Sequence, residues 1–551
     1  MLPSNSPRRH AIFFSMMPRT LRFASALWCI LLSLSALVSA SAAAIPEESG
    51  SAPDRIAATS RAAELAPGAA ETAGRSSPDH HRRGRAAARK GRQSEAAPPD
   101  SLEARLSAVL QGRCLRGARL GVGVISLRDG KTVFERNPLL PLAPASTMKV
   151  LTTGAILKRL GADFRYQTLF LTDGRIGGGA LRGNLYVRGV GAPDLVMERW
   201  GEIANDLAAL GISEIDGDVV GDESYFDAER RAPGWPSPTN SNPYNAPISA
   251  LSANFNTVQV SVLPTKAGQK PMVLLEPSSD LVRAVNSART ASGTALRMRR
   301  SFDGQANTVT VKGTIGARAG IRIEWLGVED PPRVAASVLK AVIEQSGVKV
   351  QGKVALGLTP PDAELIYAYP SKPLAEIVAD ANKNSINFIA ECLQRTLGAA
   401  AYGTPGSREK GARAVRQLVA DSGGPIEGLE LVDGSGLSTE NRVTVKALVS
   451  VLAGMLSDER AGPAFLASLP IAGEDGTLRH RLLDARGRVR AKTGSINSAR
   501  GLAGYVLDLD DRPAYAFAVL VNGYRCGETG VLAAMDELAR VLVEAAGTVS
   551  G

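Results

Sequence analysis

Hydrophobic and polar positions alternate over 120–127, break at Arg128-Asp129-Gly130-Lys131 and resume at Thr132-Val133-Phe134. An Asp-Gly pair between two alternating runs predicts a β-hairpin, because these residues readily take the positive φ that a tight turn needs. Over 145–160 the apolar positions Met148, Val150, Leu151, Ala155, Ile156 and Leu160 recur at helical spacing, and Gly161 ends the pattern. From about 165 to 360 the chain changes character. Short alternating runs at 184–187, 258–262, 308–311 and 320–325 are punctuated by Gly and Asp, and helical spacing shows only at 197–210 and 331–344. This predicts a β-rich insertion with a few helices. Helical spacing returns at 374–397, 407–419 and 443–456, and the chain closes with strands at 488–493, 501–509 and 514–521 and a helix at 529–546. Strands and helices that start before the insertion and finish after it read as one α/β domain interrupted by another.

The stretch before the hairpin has a different composition. Arg19 and Arg22 precede an apolar run at 23–38, and Ser39-Ala40-Ser41-Ala42 then offers small-residue cleavage sites, the pattern of an export signal. The run is short for a membrane span, which needs about 20 apolar residues. Residues 1–44 are therefore expected to be a signal peptide. Residues 45–99 are rich in Ala, Ser, Pro and Arg with almost no large apolar side chains, and are expected to form a disordered linker. Folding is expected to begin near Asp100, with Asp100 and Glu103 as a capping box. The interrupted domain then occupies 100–164 and 363–551, and the insertion 165–362.

Charge adds little. The chain carries 64 Lys+Arg and 54 Asp+Glu, but 13 of the bases and 8 of the acids precede residue 101, which leaves +5 over the remainder. That balance, with no basic stripe interleaved with aromatics, gives no case for nucleic acid. It leaves room for peripheral association with an anionic membrane or envelope surface. Histidine is informative by scarcity: of His10, His80, His81 and His480, three fall in the first 81 residues. So few imidazoles argue against a histidine-rich metal site, and a Ser-His-Asp triad in the body would have to use His480. That residue lies between Arg479 and Arg481 and is expected to be solvated or structural. Signal cleavage would remove Cys29. Of the others, Cys392 falls in an apolar helical pattern and is expected in the core, and if a pair forms it is Cys114 with Cys526.

The chemistry lies in three short elements. Ser146-Thr147-Met148-Lys149 puts a hydroxyl and an amine three apart at the start of a predicted helix, on one face. A neutral Lys can take the Ser proton in place of histidine, and a helix N-terminus favours a developing oxyanion. Alone the spacing is weak: Ser337/Lys340, Ser346/Lys349 and Ser407/Lys410 share it, and a helix-capping Ser explains any one of them. Ser385-Ile386-Asn387 follows in a polar cluster before an apolar helix, although the same S-x-N spacing recurs at Ser252/Asn254 and Ser495/Asn497. Lys492-Thr493-Gly494 occurs once, at the end of a predicted strand, where Gly is expected to let a substrate backbone approach closely. In this order the three resemble the motif set of penicillin-binding proteins and serine β-lactamases, with Ile386 where that pattern has Asp.

Ser385 lies 236 positions after Lys149, a gap that resembles the class C low-molecular-mass penicillin-binding proteins, the D-alanyl-D-alanine carboxypeptidase/endopeptidase family. The stretches Ala246-Pro247-Ile248-Ser249-Ala250-Leu251, Asp433-Gly434-Ser435-Gly436-Leu437-Ser438 and Gly473-Glu474-Asp475-Gly476-Thr477-Leu478 are similar to that family too. The resemblance implies an α+β fold: a transpeptidase-like antiparallel sheet flanked by helices, plus a helical subdomain, interrupted by the β-rich insertion. It implies Ser146 as nucleophile and Lys149 as base, its pKa pulled down by burial and by the like charge of Lys492. It further implies Ser385 and Asn387 in proton relay and orientation, Lys492, Thr493, Gly494 and Ser495 in substrate binding, and the backbone N–H groups of Ser146 and Ser495 as oxyanion hole. The partners implied are peptidoglycan peptides ending in D-Ala-D-Ala, with β-lactams as covalent inhibitors and no metal or organic cofactor. A β-lactamase or esterase on the same scaffold, and a non-catalytic peptidoglycan-binding or penicillin-sensing protein, are the rival readings.

Overall fold

The computed structural model describes residues 101–547 apart from 238 and 240. The expected signal peptide and linker lie outside the described residues. Five strands form the central sheet: β1 (Arg119–Ser126), β2 (Thr132–Arg136), β3 (Val489–Ile496), β4 (Ala499–Leu507) and β5 (Pro513–Asn522), in the order β3-β4-β5-β1-β2. Each neighbouring pair is antiparallel. The last strand thus closes on the first, with Arg119 opposite Asn522 and Ser126 opposite Tyr515. The helices of the interrupted part are α1 (Leu102–Leu110), α2 (Met148–Leu160), α3 (Leu374–Lys383), α4 (Asn387–Tyr402), α5 (Arg408–Asp421), α6 (Val445–Leu456), α7 (Gly462–Ser468) and α8 (Glu528–Gly547), of which α6 and α8 lie directly on the sheet. The class is α+β.

Alternation along the strands divides the core in two. Val122, Val124, Leu502, Val506, Phe517, Val519 and Val521 join the apolar faces of α1 and α8. Ala503, Tyr505, Ala516, Ala518 and Leu520 point the other way, into the core shared with α2, α4 and α6. Because both faces are covered, β4 is buried throughout and reads as an apolar run. The second face is built from small residues, which lets α6 approach closely: a Cβ on Gly121 would stand 3.2 Å from a Val445 methyl. The α1 cap is Ser101, whose Oγ accepts the Ala104 N–H at 3.2 Å; the expected capping residue, Asp100, lies outside the described residues.

The insertion holds four sheets, of three, four, four and five strands, and the helices Met197–Ala209 and Pro331–Gln345. Its five-stranded sheet ends on Glu364–Pro370, which runs antiparallel to Gln167–Thr172, so this sheet takes in chain beyond 362. Residues 225–245 reach from the insertion onto the helices of the interrupted part. Phe226 bridges to Gly406, and the Ser438 hydroxyl donates to Pro233 O at 2.7 Å. The helical pattern expected over 374–397 is two helices, because Ser385 takes a positive φ of 57° between α3 and α4.

Candidate active site

Ser146 sits in one turn of 3-10 helix, Ala145–Thr147, that leads directly into α2. Three residues on, the Lys149 side chain is wholly buried. Its Nζ lies 3.1 Å from Ser146 Oγ, 2.7 Å from Asn387 Oδ1 and 2.8 Å from the Ser435 carbonyl. A neutral amine has two N–H groups and one lone pair. The amide and carbonyl oxygens can only accept, so they occupy the two N–H groups and leave the lone pair facing the serine hydroxyl. Burial pulls the Lys149 pKa down to about 7, against the opposing charges of Asp433 and Glu391. The group is therefore part-neutral near pH 7 and suited to act as a base.

Each acceptor is held from behind. Asn387 opens α4, and its Nδ2 donates to Tyr244 O at 3.0 Å, which turns Oδ1 toward the lysine. The Ser435 carbonyl belongs to the buried turn 433–436. Glu391, one turn further along α4 and wholly buried, accepts the N–H groups of Gly434 and Ser435 through one oxygen at 3.0 and 2.8 Å. Its other oxygen faces buried Arg395 at 3.3 Å. Asp433 accepts from Gly436 N at 2.7 Å, Ser438 N at 2.5 Å, Asn441 Nδ2 at 2.8 Å and Trp235 Nε1 at 2.8 Å. Gly436 has φ of 81°, and a Cβ there would stand 1.8 Å from Ala145 O, so the turn carrying Ser435 packs directly under the turn carrying Ser146. Sequence reasoning took 433–438 only as a family resemblance and passed over Glu391. The signal was a Glu and an Arg four apart inside an otherwise apolar helix.

The third element is on β3, the edge strand beside the Ser146 turn. Gly494 makes that contact possible: a Cβ would lie 2.8 Å from Pro144 O and 3.1 Å from Thr147 N. Its close approach is thus to the protein's own turn, where a substrate backbone was expected. The Ala491 N–H bonds Pro470 O on the outer edge of β3. Alternation of the ladder then turns the N–H groups of Thr493 and Ser495 to that same side, beyond the stretch that Pro470–Ala472 covers. Thr493 Oγ1 is 2.7 Å from Thr477 Oγ1. Lys492 is wholly buried and donates to Thr493 O at 2.9 Å. Its pKa is pushed well down, first by burial and then by the charge of Lys149. Two buried lysine charges disfavour each other, so this repulsion acts on Lys149 as well as on Lys492.

The structure brings Ser146, Lys149 and Asn387 into one hydrogen-bonded set and lays 492–495 alongside. Ser385 stands at the α3/α4 break, half-buried, and among the described residues its hydroxyl makes no hydrogen bond. The preceding Lys383 fastens that break to Asp475 at 2.5 Å. His480 is exposed and outside the set. Among the described residues, one group of three carboxylates has metal-ligand spacing, Asp227, Glu229 and Glu409. Arg395 and Arg408 pair with these carboxylates.

Residues 102–545 match the D-Ala-D-Ala carboxypeptidase 3 (S13) family. The chain belongs to this family. It is 33% identical over 459 residues to the D-alanyl-D-alanine carboxypeptidase of an Actinomadura species, covering 80% of this chain and 84% of that protein. The carboxypeptidase DacB of Haemophilus influenzae is 28% identical over 418 residues, covering 75% of this chain and 87% of its own length. In structure the carboxypeptidase is similar to penicillin binding protein 4 (dacB) of H. influenzae, with TM-score 0.69 and 26% identity over 80% of this chain and 99% of that one. A second structure of that protein is a complex with a β-lactam, matched at TM-score 0.64.

Proposed function

We propose that this carboxypeptidase removes the terminal D-alanine of peptidoglycan stem peptides through an acyl-enzyme on Ser146. The observation that carries the reading is the coordination of Lys149: two acceptors on its N–H groups and the Ser146 hydroxyl on its remaining position. Ser146 Oγ attacks the carbonyl carbon of the penultimate D-alanine while Lys149 Nζ takes its proton. The oxyanion lies between the backbone N–H groups of Ser146 and Ser495, each worth about 3 kcal/mol by analogy with other acyl-transfer sites. Ser385 returns a proton to the departing amine, Asn387 holds the lysine, and water releases the acyl group. The C-terminal carboxylate binds along Lys492, Thr493 and Ser495, and its charge favours the ammonium form of Lys492 that burial disfavours.

Cleavage of D-alanyl cross-links, an endopeptidase activity, uses the same steps on a different leaving amine. The export pattern at 1–44 assigns the enzyme to the envelope, and β-lactams acylate Ser146. Labelling with a fluorescent penicillin, with D-alanine release measured in parallel, tests the site. The wild type should label and release D-alanine, and Ser146→Ala should do neither. A label that persists in the mutant overturns the assignment, and rapid turnover of the penicilloyl adduct would favour a β-lactamase.

A further inference from the structure

Cys114 and Cys526 are 412 positions apart and meet at the surface. The first lies in the turn between α1 and β1, the second in the loop between β5 and α8. Cys526 Sγ is 3.8 Å from Cys114 O. Both sulfurs pack over Gly530 in the first turn of α8: the position a Cβ would take there is 2.6 Å from Cys114 Sγ and 3.3 Å from Cys526 Sγ. Any larger residue at 530 would drive into the two sulfurs. The neighbouring Cys114 thiol raises the Cys526 pKa above the ordinary thiol range. Both residues are partly exposed, in contrast to buried Cys392.

We propose that Cys114 and Cys526 form a disulfide that ties the segment before β1 to the segment before α8. Its formation in the cell rests on the export proposed above; the placement of the sulfurs does not. The thiolate of one cysteine attacks a disulfide oxidant, a thiol–disulfide oxidoreductase or oxidised glutathione, and displaces a thiolate. The second cysteine then attacks the mixed disulfide and releases the other half of the oxidant. Two protons leave the protein and two electrons go to the oxidant. The link closes a very long loop and stabilises chiefly by restricting the unfolded chain. It also anchors the approach to Glu528, whose carboxylate pairs with Arg500 at 2.9 Å and reaches Ser495 Oγ at 3.5 Å, so the bond steadies the flank of the substrate strand.

The test exposes the reduced full chain to oxidised glutathione, traps remaining thiols with iodoacetamide and maps the digest without reductant. The expected product is a 114–526 linked peptide pair, two hydrogens lighter than its parts, with Cys392 still free. The denaturation midpoint should rise on oxidation in the wild type and not in Cys114→Ser. Two alkylated cysteines or separate glutathione adducts overturn the bond, and a bond with no rise in midpoint overturns its anchoring role. Penicillin labelling of the same samples reads the Ser146 site independently, so either proposal can fail alone.

Discussion

Glu391→Gln removes a charge from beneath Lys149 while keeping the side chain's length. The carboxylate reaches the lysine across the main chain of Ser435, by hydrogen bonds of 2.8 Å at Ser435 N and at Ser435 O. That path separates the charges by on the order of 7 Å, where an effective dielectric of about 20 gives roughly 2 kcal/mol, or about 1.5 pH units. Glu391 is itself raised to about 7, first by burial and then by the charge of Asp433, so it is only part-ionised over the relevant range. The net shift is then about one unit. Its sign is fixed: the anion favours the ammonium form of Lys149, so its removal lowers the lysine pKa and moves the acid limb of the acylation profile to lower pH. The plateau should fall several-fold, because a neutral amide holds the Gly434 and Ser435 N–H groups less firmly than a carboxylate. Acylation by a fluorescent penicillin between pH 5 and 9 reads both effects. A limb that stays at the wild-type pH, or moves upward, refutes the electrostatic role of Glu391. Glu391→Ala is the structural control: it leaves the Gly434 and Ser435 N–H groups unmatched, takes one of two carboxylate partners from buried Arg395, and should cost about 3 to 5 kcal/mol in chemical denaturation.

In the wild type, the Lys149 pKa of about 7 predicts acylation that falls as pH drops through 7, because protonation removes the lone pair that receives the serine proton; a flat profile down to pH 5 would show that Lys149 is not the base. Gly494→Ala would put a Cβ 2.8 Å from Pro144 O and force β3 away from the Ser146 turn. Penicillin labelling should slow by about tenfold or more with little change in melting temperature, since a displacement of about 1 Å at a reacting centre can cost a hundredfold. Gly436→Ala combines positive φ with a 1.8 Å clash against Ala145 O. Urea denaturation should show a loss of at least about 3 kcal/mol, and a loss under 1 kcal/mol would mean that the two turns are not packed as rigidly as the contact implies.

Much of the sheet and helix order was legible because a strand buried on both faces reads as a short apolar run, as in β4, whereas a helix with one apolar face spaces its apolar positions three and four apart, as in α5. The bend at Ser385 was not. Apolar spacing continues across 374–397, and only a polar cluster, Asn382 to Asn387, hinted that two helices meet there at a positive φ. The hydroxyl and amine groups of the site were legible for the same reason that three weak motifs are stronger in order than singly. What holds them was not, since it consists of main-chain atoms and buried charges. The Ser435 carbonyl and the Tyr244 carbonyl have no signature in residue type, because every residue has one. Glu391 did have one. A buried carboxylate needs partners that outweigh its desolvation, and Arg395, the Gly434 N–H and the Ser435 N–H supply them. A Glu and an Arg four apart among Phe388, Ile389, Leu393 and Leu397 therefore marks a place where the fold tolerates a costly buried charge. Here that charge lies beneath the amine proposed as the base. The cost makes sense once the lysine is considered: burial alone would carry its pKa below about 7, and the charges of Asp433 and Glu391 set the limit of that descent.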